Sequence, residues 1–221
     1  MGLLTAAYLF LLGAASGLVV LTLSVYRRIS PSWLKRFLLA TGLLLISRYV
    51  TMAFFTLPDA PQRFWWAHRL WLASTIGLTL PAIFVIDQLL RHPALSPKKL
   101  LVWASPLVVI NGAVMLFGSF QAVPDPVAGW TLRVGEGWRL VLAVTQGIFV
   151  AALLGWCGLL IWKFPSRPVR QALGLLIASY AYLGVDGVLL AVGGWYFRPF
   201  LYSELAALLA LWYAYDTAVR A

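Results

Sequence analysis

Arg48 is the residue of this sequence whose type and position most clearly call for a chemical explanation. It is the only charged residue in the run FLLATGLLLISRYVTMAFFTL, which covers residues 37–57. At about 1.5 Å per residue, a helix of this length crosses a hydrocarbon core of about 30 Å. An arginine at such a depth is unfavourable and marks either a ligand site or a structural ion pair. In the first case Arg48 would anchor an anionic or carbonyl-bearing ligand.

Two acids are predicted to lie near Arg48. From the helical rise, Arg48, Asp186 and Glu204 lie about 13, 9 and 6 Å below the same end of their helices. These charges therefore fall in one half of the protein and can meet. The predicted ligand-binding site adds four polar residues at a similar level: His68, Arg69, Asn111 and Gln146. The alternative is that Arg48 only pairs with Asp186 or Glu204, while the surrounding Trp and Tyr residues form an ordinary interfacial belt.

The composition predicts that membrane helices position these residues. Hydrophobic residues make up 62% of the 221 positions and charged residues 11%, and the mean hydropathy is +0.87. Such a chain is too apolar for a soluble domain. We predict an all-α integral membrane protein, a single seven-helix domain over residues 1–221. Its spans are expected at residues 3–26, 37–57, 66–90, 100–120, 140–162, 171–193 and 199–218.

The distribution of Lys and Arg predicts the orientation. The connections after the first, third and fifth spans carry most of the basic residues: Arg27, Arg28, Lys35, Arg36, Arg91, Lys98, Lys99, Lys163, Arg167 and Arg170. We therefore place the N-terminus outside and the C-terminus in the cytoplasm. The net charge of +10 then follows from topology and does not indicate nucleic acid binding. The external connection over residues 119–138 is expected to be a simple interfacial loop rather than a folded cap.

Several kinds of chemistry do not fit these residues. All four lysines (Lys35, Lys98, Lys99 and Lys163) are expected at the cytoplasmic side, which excludes a retinal Schiff base in the last span. His68 and His92 are expected at opposite ends of the third span and cannot share one haem iron. The only cysteine, Cys157, is expected to be a packing residue. We predict no catalytic residues, no metal site and no cofactor.

Gly13 and Gly17 form a GxxxG pattern in the first span, which lets another helix approach closely. We expect a packing partner within the same bundle, with homodimerisation through these two glycines as the alternative. Membrane lipid is the other expected partner.

Four features resemble the seven-helix N-terminal membrane sensor region of bacterial histidine kinases and diguanylate cyclases. They are the run RFWWAHRLWLAS, Pro81 in LTLPAIFVIDQLL, Pro106 in the fourth span, and PVRQALGLLIASY at the start of the sixth. The resemblance implies an input module in the bacterial cytoplasmic membrane that perceives a small ligand or a membrane state. The sequence has no output segment after its last span, which leaves open a stand-alone receptor, a truncated chain or a subunit of a larger assembly.

Two functions are therefore expected. The first is a non-enzymatic membrane receptor or sensor module with a polar and aromatic pocket in the outer half of the bundle. The alternative is an accessory or structural subunit of a membrane complex that packs against partner helices, lipid or pigment, which the aromatic content of 14% would suit.

Overall fold

The computed structural model describes residues 2–90, 97–191 and 201–220, which fold mainly as helices with one pair of short strands. In chain order the elements are α1 (Leu3–Tyr26), α2 (Ser32–Phe54), α3 (Ala60–Arg63), a 3-10 helix (Trp65–Leu72), α4 (Ala73–Gly77), α5 (Thr79–Leu90), α6 (Pro97–Phe117), β1 (Phe120–Asp125), β2 (Gly129–Val134), α7 (Glu136–Lys163), α8 (Arg167–Ala191) and α9 (Leu201–Arg220). The boundary predicted between the sixth and seventh spans lies outside the described residues, as do Arg91, His92 and Arg198.

Six helical segments of the described chain are long and apolar enough to cross a membrane: α1, α2, Trp65–Leu90, Lys98–Phe117, α7 and Arg167–Leu189. They correspond to the first six predicted spans. This agreement confirms a mostly helical chain and indicates an integral membrane protein.

The predicted seventh span overlaps α9, which is not one of these six segments. Glu204, Asp216 and several tyrosines make α9 less apolar than the other long helices. It packs against α1, α5 and α8, so much of its surface is covered by protein and does not have to be as apolar as a helix in lipid. The count of seven spans stays a prediction.

The third predicted span is a broken helix made of the 3-10 helix, α4 and α5. Pro81 explains the boundary between α4 and α5, because proline has no N–H to donate to the carbonyl four residues earlier. The hydroxyls of Tyr180 and Tyr215 donate to the backbone carbonyls of Leu78 and Pro81, at 2.6 and 2.7 Å. Side chains of α8 and α9 therefore hold the broken segment in place.

The connection between α6 and α7 is a β-hairpin, so the prediction of a simple interfacial loop is wrong. Strands β1 and β2 are antiparallel, with Asp125 opposite Gly129 at the turn. The Asp125 carboxylate accepts hydrogen bonds from the N–H groups of Val127 and Ala128, both at 2.9 Å. Gly129 has a φ of 74°, a conformation that glycine adopts without steric penalty.

The hairpin docks on the end of α2. The backbone N–H of Trp130 donates to the carbonyl of Phe55 at 3.1 Å, and its indole N–H donates to the carbonyl of Pro58 at 3.0 Å. A Cβ at Gly129 would lie 2.8 Å from the Cα of Thr56, so only glycine fits this approach. The hairpin is thus a cap on the end of α2.

The GxxxG pattern of α1 has an open face in the part of the chain that the structure describes. Gly13 and Gly17 are both exposed, and a Cβ added at either position would meet no described atom within 4 Å. The expected packing partner is therefore not found among the described helices.

Candidate functional site

Arg48, Tyr49 and Glu204 form a buried cluster between α2 and α9. Arg48 Nη2 lies 2.7 Å from Glu204 Oε1, and the Tyr49 hydroxyl donates to Glu204 Oε2 at 3.0 Å. Arg48 Nη1 also contacts the sulfur of Met52 at 2.9 Å. Arg48 and Glu204 are only 3% and 2% exposed. The pair expected from the depths of the two residues in their helices is therefore present.

Glu204 is held by donors from two other helices. It lies in the first turn of α9, where the helix dipole favours a negative charge. In addition to Arg48 and Tyr49 of α2, the hydroxyl of Ser74 in α4 hydrogen-bonds to its carboxylate. A change in the hydrogen bonds of this carboxylate would therefore alter contacts among α2, α4 and α9.

The cluster also has unused hydrogen-bonding capacity. The Tyr8 hydroxyl and Arg48 Nε are buried and have no hydrogen-bond partner among the described residues. Tyr8 of α1 is close enough to interact electrostatically with both Arg48 and Glu204. Because buried polar groups are almost always satisfied, these two donors could serve a water molecule or a ligand oxygen beside the cluster.

A cavity of about 220 Å³ adjoins Glu204 between α4, α5, α7, α8 and α9. Its described lining comprises Ser74, Thr75, Leu78, Thr79, Ala143, Gln146, Gly147, Val150, Leu183, Gly184, Gly187, Val188 and Glu204. Three of these residues are glycines, whose missing side chains leave space between α7 and α8. Glu204 is the one charged residue in this described lining, and the aromatic residues expected as walls do not line it.

Of the other predicted site residues, Gln146 lines the cavity and Asn111 supports it. The Gln146 amide donates to Asn111 Oδ1 at 3.3 Å. Asn111 is fully buried and donates its own amide to the carbonyl of Leu107 at 2.8 Å. The pair connects α6 to α7 behind the cavity.

His68 and Arg69 lie elsewhere, at the base of the hairpin. The His68 ring stacks on Trp65 with ring centroids 4.2 Å apart, and its Nδ1 contacts the Trp65 carbonyl. Arg69 Nη1 donates to the carbonyls of Met115 and Leu116. Those carbonyls belong to the last turn of α6, where a helix lacks donors of its own. His68 and Arg69 therefore contact backbone carbonyls at or near helix ends and do not contribute to the cavity beside Glu204.

Asp186 does not pair with Arg48. It is buried on α8 at 9% exposure, and neither a hydrogen bond nor an ion pair joins it to another described residue. Its neighbours Gly184 and Gly187 line the cavity, whereas Asp186 itself does not. Of the two candidate acids, Glu204 is the partner of Arg48.

Sequence reasoning missed several polar residues of this region: Tyr8, Tyr49, Ser74, Thr75 and Thr79. A signal was present for some of them, because Thr75 and Thr79 are spaced by one helical turn and Ser74 precedes them in the run STIGLTLP. Hydroxyl groups are frequent in membrane helices, where they commonly bond to their own backbone, as both threonines do here. The spacing therefore carried little information without the tertiary structure.

The described residues contain no group of three His, Cys, Asp or Glu side chains that could hold a metal ion. In comparisons with known proteins, no family model, no curated protein and no solved structure matches this chain.

Proposed function

We propose that the protein is a non-enzymatic membrane receptor or sensor module that binds a small ligand in the cavity beside Glu204. The observation that carries this proposal is that Glu204 belongs both to the cavity lining and to the buried ion pair. Glu204 contributes to the cavity lining and also holds Arg48 and Tyr49 of α2. A ligand that contacts Glu204 would therefore act on a carboxylate that connects several helices.

The lining favours a small ligand with a hydrogen-bond donor and an apolar body. At about 30 Å³ for each water-sized group, 220 Å³ holds about seven such groups. The carboxylate of Glu204 accepts hydrogen bonds, and the rest of the lining is mainly aliphatic or glycine. An amine or hydroxyl ligand fits this lining better than an anion does. Arg48 then has the role of holding Glu204 in the empty site.

Signalling would proceed by competition for Glu204. A ligand donor that binds the carboxylate would weaken its bonds to Arg48 and Tyr49, and α2 could then move relative to α9. Such a response requires the ligand to bind one arrangement better than the other. This exchange of donors at Glu204 can be tested because Arg48, Tyr49 and Glu204 can each be changed by one substitution.

The test uses n-butylammonium and butyrate as probes of opposite charge. The thermal unfolding midpoint of the purified protein is measured with each probe, in the natural chain and in Gly187→Val, which places a side chain in the cavity. Gly174→Val is the matched control, because Gly174 lies in the same helix, has equal space around its Cα and does not line the cavity. A second variant, Glu204→Gln, removes the charge of the site.

We expect n-butylammonium to raise the midpoint in the natural chain and in Gly174→Val but not in Gly187→Val or Glu204→Gln. A ligand present at ten times its dissociation constant stabilises by about 1.4 kcal/mol. Equal responses of Gly187→Val and Gly174→Val would contradict binding in the cavity. If butyrate raises the midpoint in the natural chain but not in Arg48→Met, Arg48 rather than Glu204 anchors the ligand. If neither probe raises the midpoint, this ligand class is rejected.

We further propose that α9 is a seventh span and that the N-terminus lies outside, in a bacterial cytoplasmic membrane. The bias of Lys and Arg supports this orientation. Cysteine labelling in intact cells tests it in a Cys157→Ser background, with a single cysteine in place of Lys98. Reaction with a membrane-impermeant reagent from outside would reverse the orientation.

The alternative function is a subunit of a membrane complex. The exposed Gly13 and Gly17 favour it, because their face of α1 has no described packing partner and suits close helix approach. Gly13→Ile would then release a stoichiometric partner or dissociate a homodimer in native purification, whereas Gly155→Ile would not. Unchanged association in Gly13→Ile would argue against this face.

A further inference from the structure

A second cavity lies in a groove between α5, α6 and α7. Its volume is about 780 Å³, and it does not share a lining residue with the cavity beside Glu204. Its described lining comprises Ile83, Lys99, Leu100, Trp103, Ala104, Pro106, Leu107, Ile110, Thr145, Ile148, Phe149, Ala152, Leu153 and Trp156. The groove is therefore apolar except for Thr145 and for Lys99 at one end.

The length of the groove matches one leaflet of a bilayer. Along α6 it runs from Lys99 to Ile110, and along the antiparallel α7 from Trp156 to Thr145. Each stretch covers 11 residue steps, or about 16 Å at 1.5 Å per residue. This is about half of a hydrocarbon core of about 30 Å. The groove thus begins at one membrane surface and ends near the midplane.

The end at the membrane surface has the residues that a lipid headgroup requires. Lys98 and Lys99 are both exposed at the start of α6. One turn further, Trp103 lines the groove and is 84% exposed, as is typical of tryptophan at the level of headgroups. Basic pockets between membrane helices bind anionic headgroups, and the apolar wall below suits an acyl chain.

We propose that this groove binds one anionic phospholipid, with its phosphate at Lys98 and Lys99 and an acyl chain along α6 and α7. The zwitterionic lipid phosphatidylcholine would bind less well, because its net charge is zero. This site does not depend on the ligand proposed for the cavity beside Glu204.

Native mass spectrometry of the purified protein tests the site with phosphatidylglycerol and phosphatidylcholine as probes. Ala152→Trp fills the groove from α7, and Ala151→Trp is its matched control because Ala151 is equally exposed but does not line the groove. Lys98→Gln/Lys99→Gln removes the charge, and Lys163→Gln is the control at the same end of the bundle. We expect one phosphatidylglycerol per chain and weaker binding in Ala152→Trp and in the double lysine variant, by about fivefold for each lysine removed.

Four results would overturn the proposal. Equal retention of both lipids in all variants would show that the groove holds no specific lipid. An equal loss in Ala151→Trp and Ala152→Trp would place the lipid elsewhere, and an unchanged affinity in the double lysine variant would reject the anionic headgroup. A dimer that dissociates in Ala152→Trp while lipid binding is unchanged would show that a second copy of the chain fills the groove.

Discussion

Removing Glu204 should expose how strongly the fold depends on neutralising Arg48. In Glu204→Leu the guanidinium, which is only 3% exposed in the natural chain, loses its carboxylate at 2.7 Å. Its described contacts are then the Met52 sulfur and the face of the Tyr49 ring, and neither carries a negative charge. Breaking a buried ion pair by removing one member typically destabilises by about 3–5 kcal/mol. Replacing both members by apolar residues of similar volume is often close to neutral. We therefore expect Glu204→Leu to be destabilised by about 3–5 kcal/mol, and Arg48→Met/Glu204→Leu by much less.

The assay is a double-mutant cycle with Arg48→Met, Glu204→Leu and the double variant. Reversible unfolding in mixed micelles, titrated with a denaturing detergent, gives the free energy of unfolding of each. Tyr49→Phe is an internal reference, because it removes a single hydrogen bond to the same carboxylate, worth about 1.5–3 kcal/mol when one partner is charged. If the two single changes add in the double variant, Arg48 and Glu204 are energetically independent and the buried cluster does not stabilise the fold in the way argued here.

Two further predictions concern the hairpin and the broken helix. Gly129→Ala should destabilise by at least about 1–2 kcal/mol because alanine is strained at positive φ, whereas the control Gly137→Ala, with no atom near its added Cβ, should not. Thermal unfolding and protease cleavage of the hairpin measure the difference, and equal stability of the two variants would contradict the docking on α2. Tyr215→Phe should destabilise by about 0.5–1.5 kcal/mol because it removes a buried hydrogen bond to the carbonyl of Pro81. Tyr213→Phe loses only an exposed hydrogen bond and should have little effect on the free energy of unfolding, and the same loss in both variants would show that the bond to Pro81 does not stabilise the break.

The helical fold and the meeting of Arg48 with an acid could be predicted without a structure. Long apolar runs have few options in a membrane, since helices satisfy every backbone polar group within one segment. Depth along a helix follows from the rise per residue, so Arg48 and Glu204 could be assigned to the same half of the protein. The choice between Glu204 and Asp186 could not be made, because it depends on which way each helix face points after packing.

The hairpin, the cavity and the places of His68 and Arg69 depended on tertiary contacts. Proline and glycine in the connection over residues 119–138 are common turn residues, but they do not predict the pairing of the strands. Hydrogen bonds from Trp130 hold the hairpin on the end of α2, a segment distant in sequence. The cavity is lined by Gly147 of α7, by Gly184 and Gly187 of α8 and by Glu204 of α9, a combination that depends on helix rotation and that spacing along the sequence does not reveal. Local sequence thus determined the long apolar helices and the position of each polar group along them, whereas the rotation and mutual packing of the helices decided which polar groups share a site.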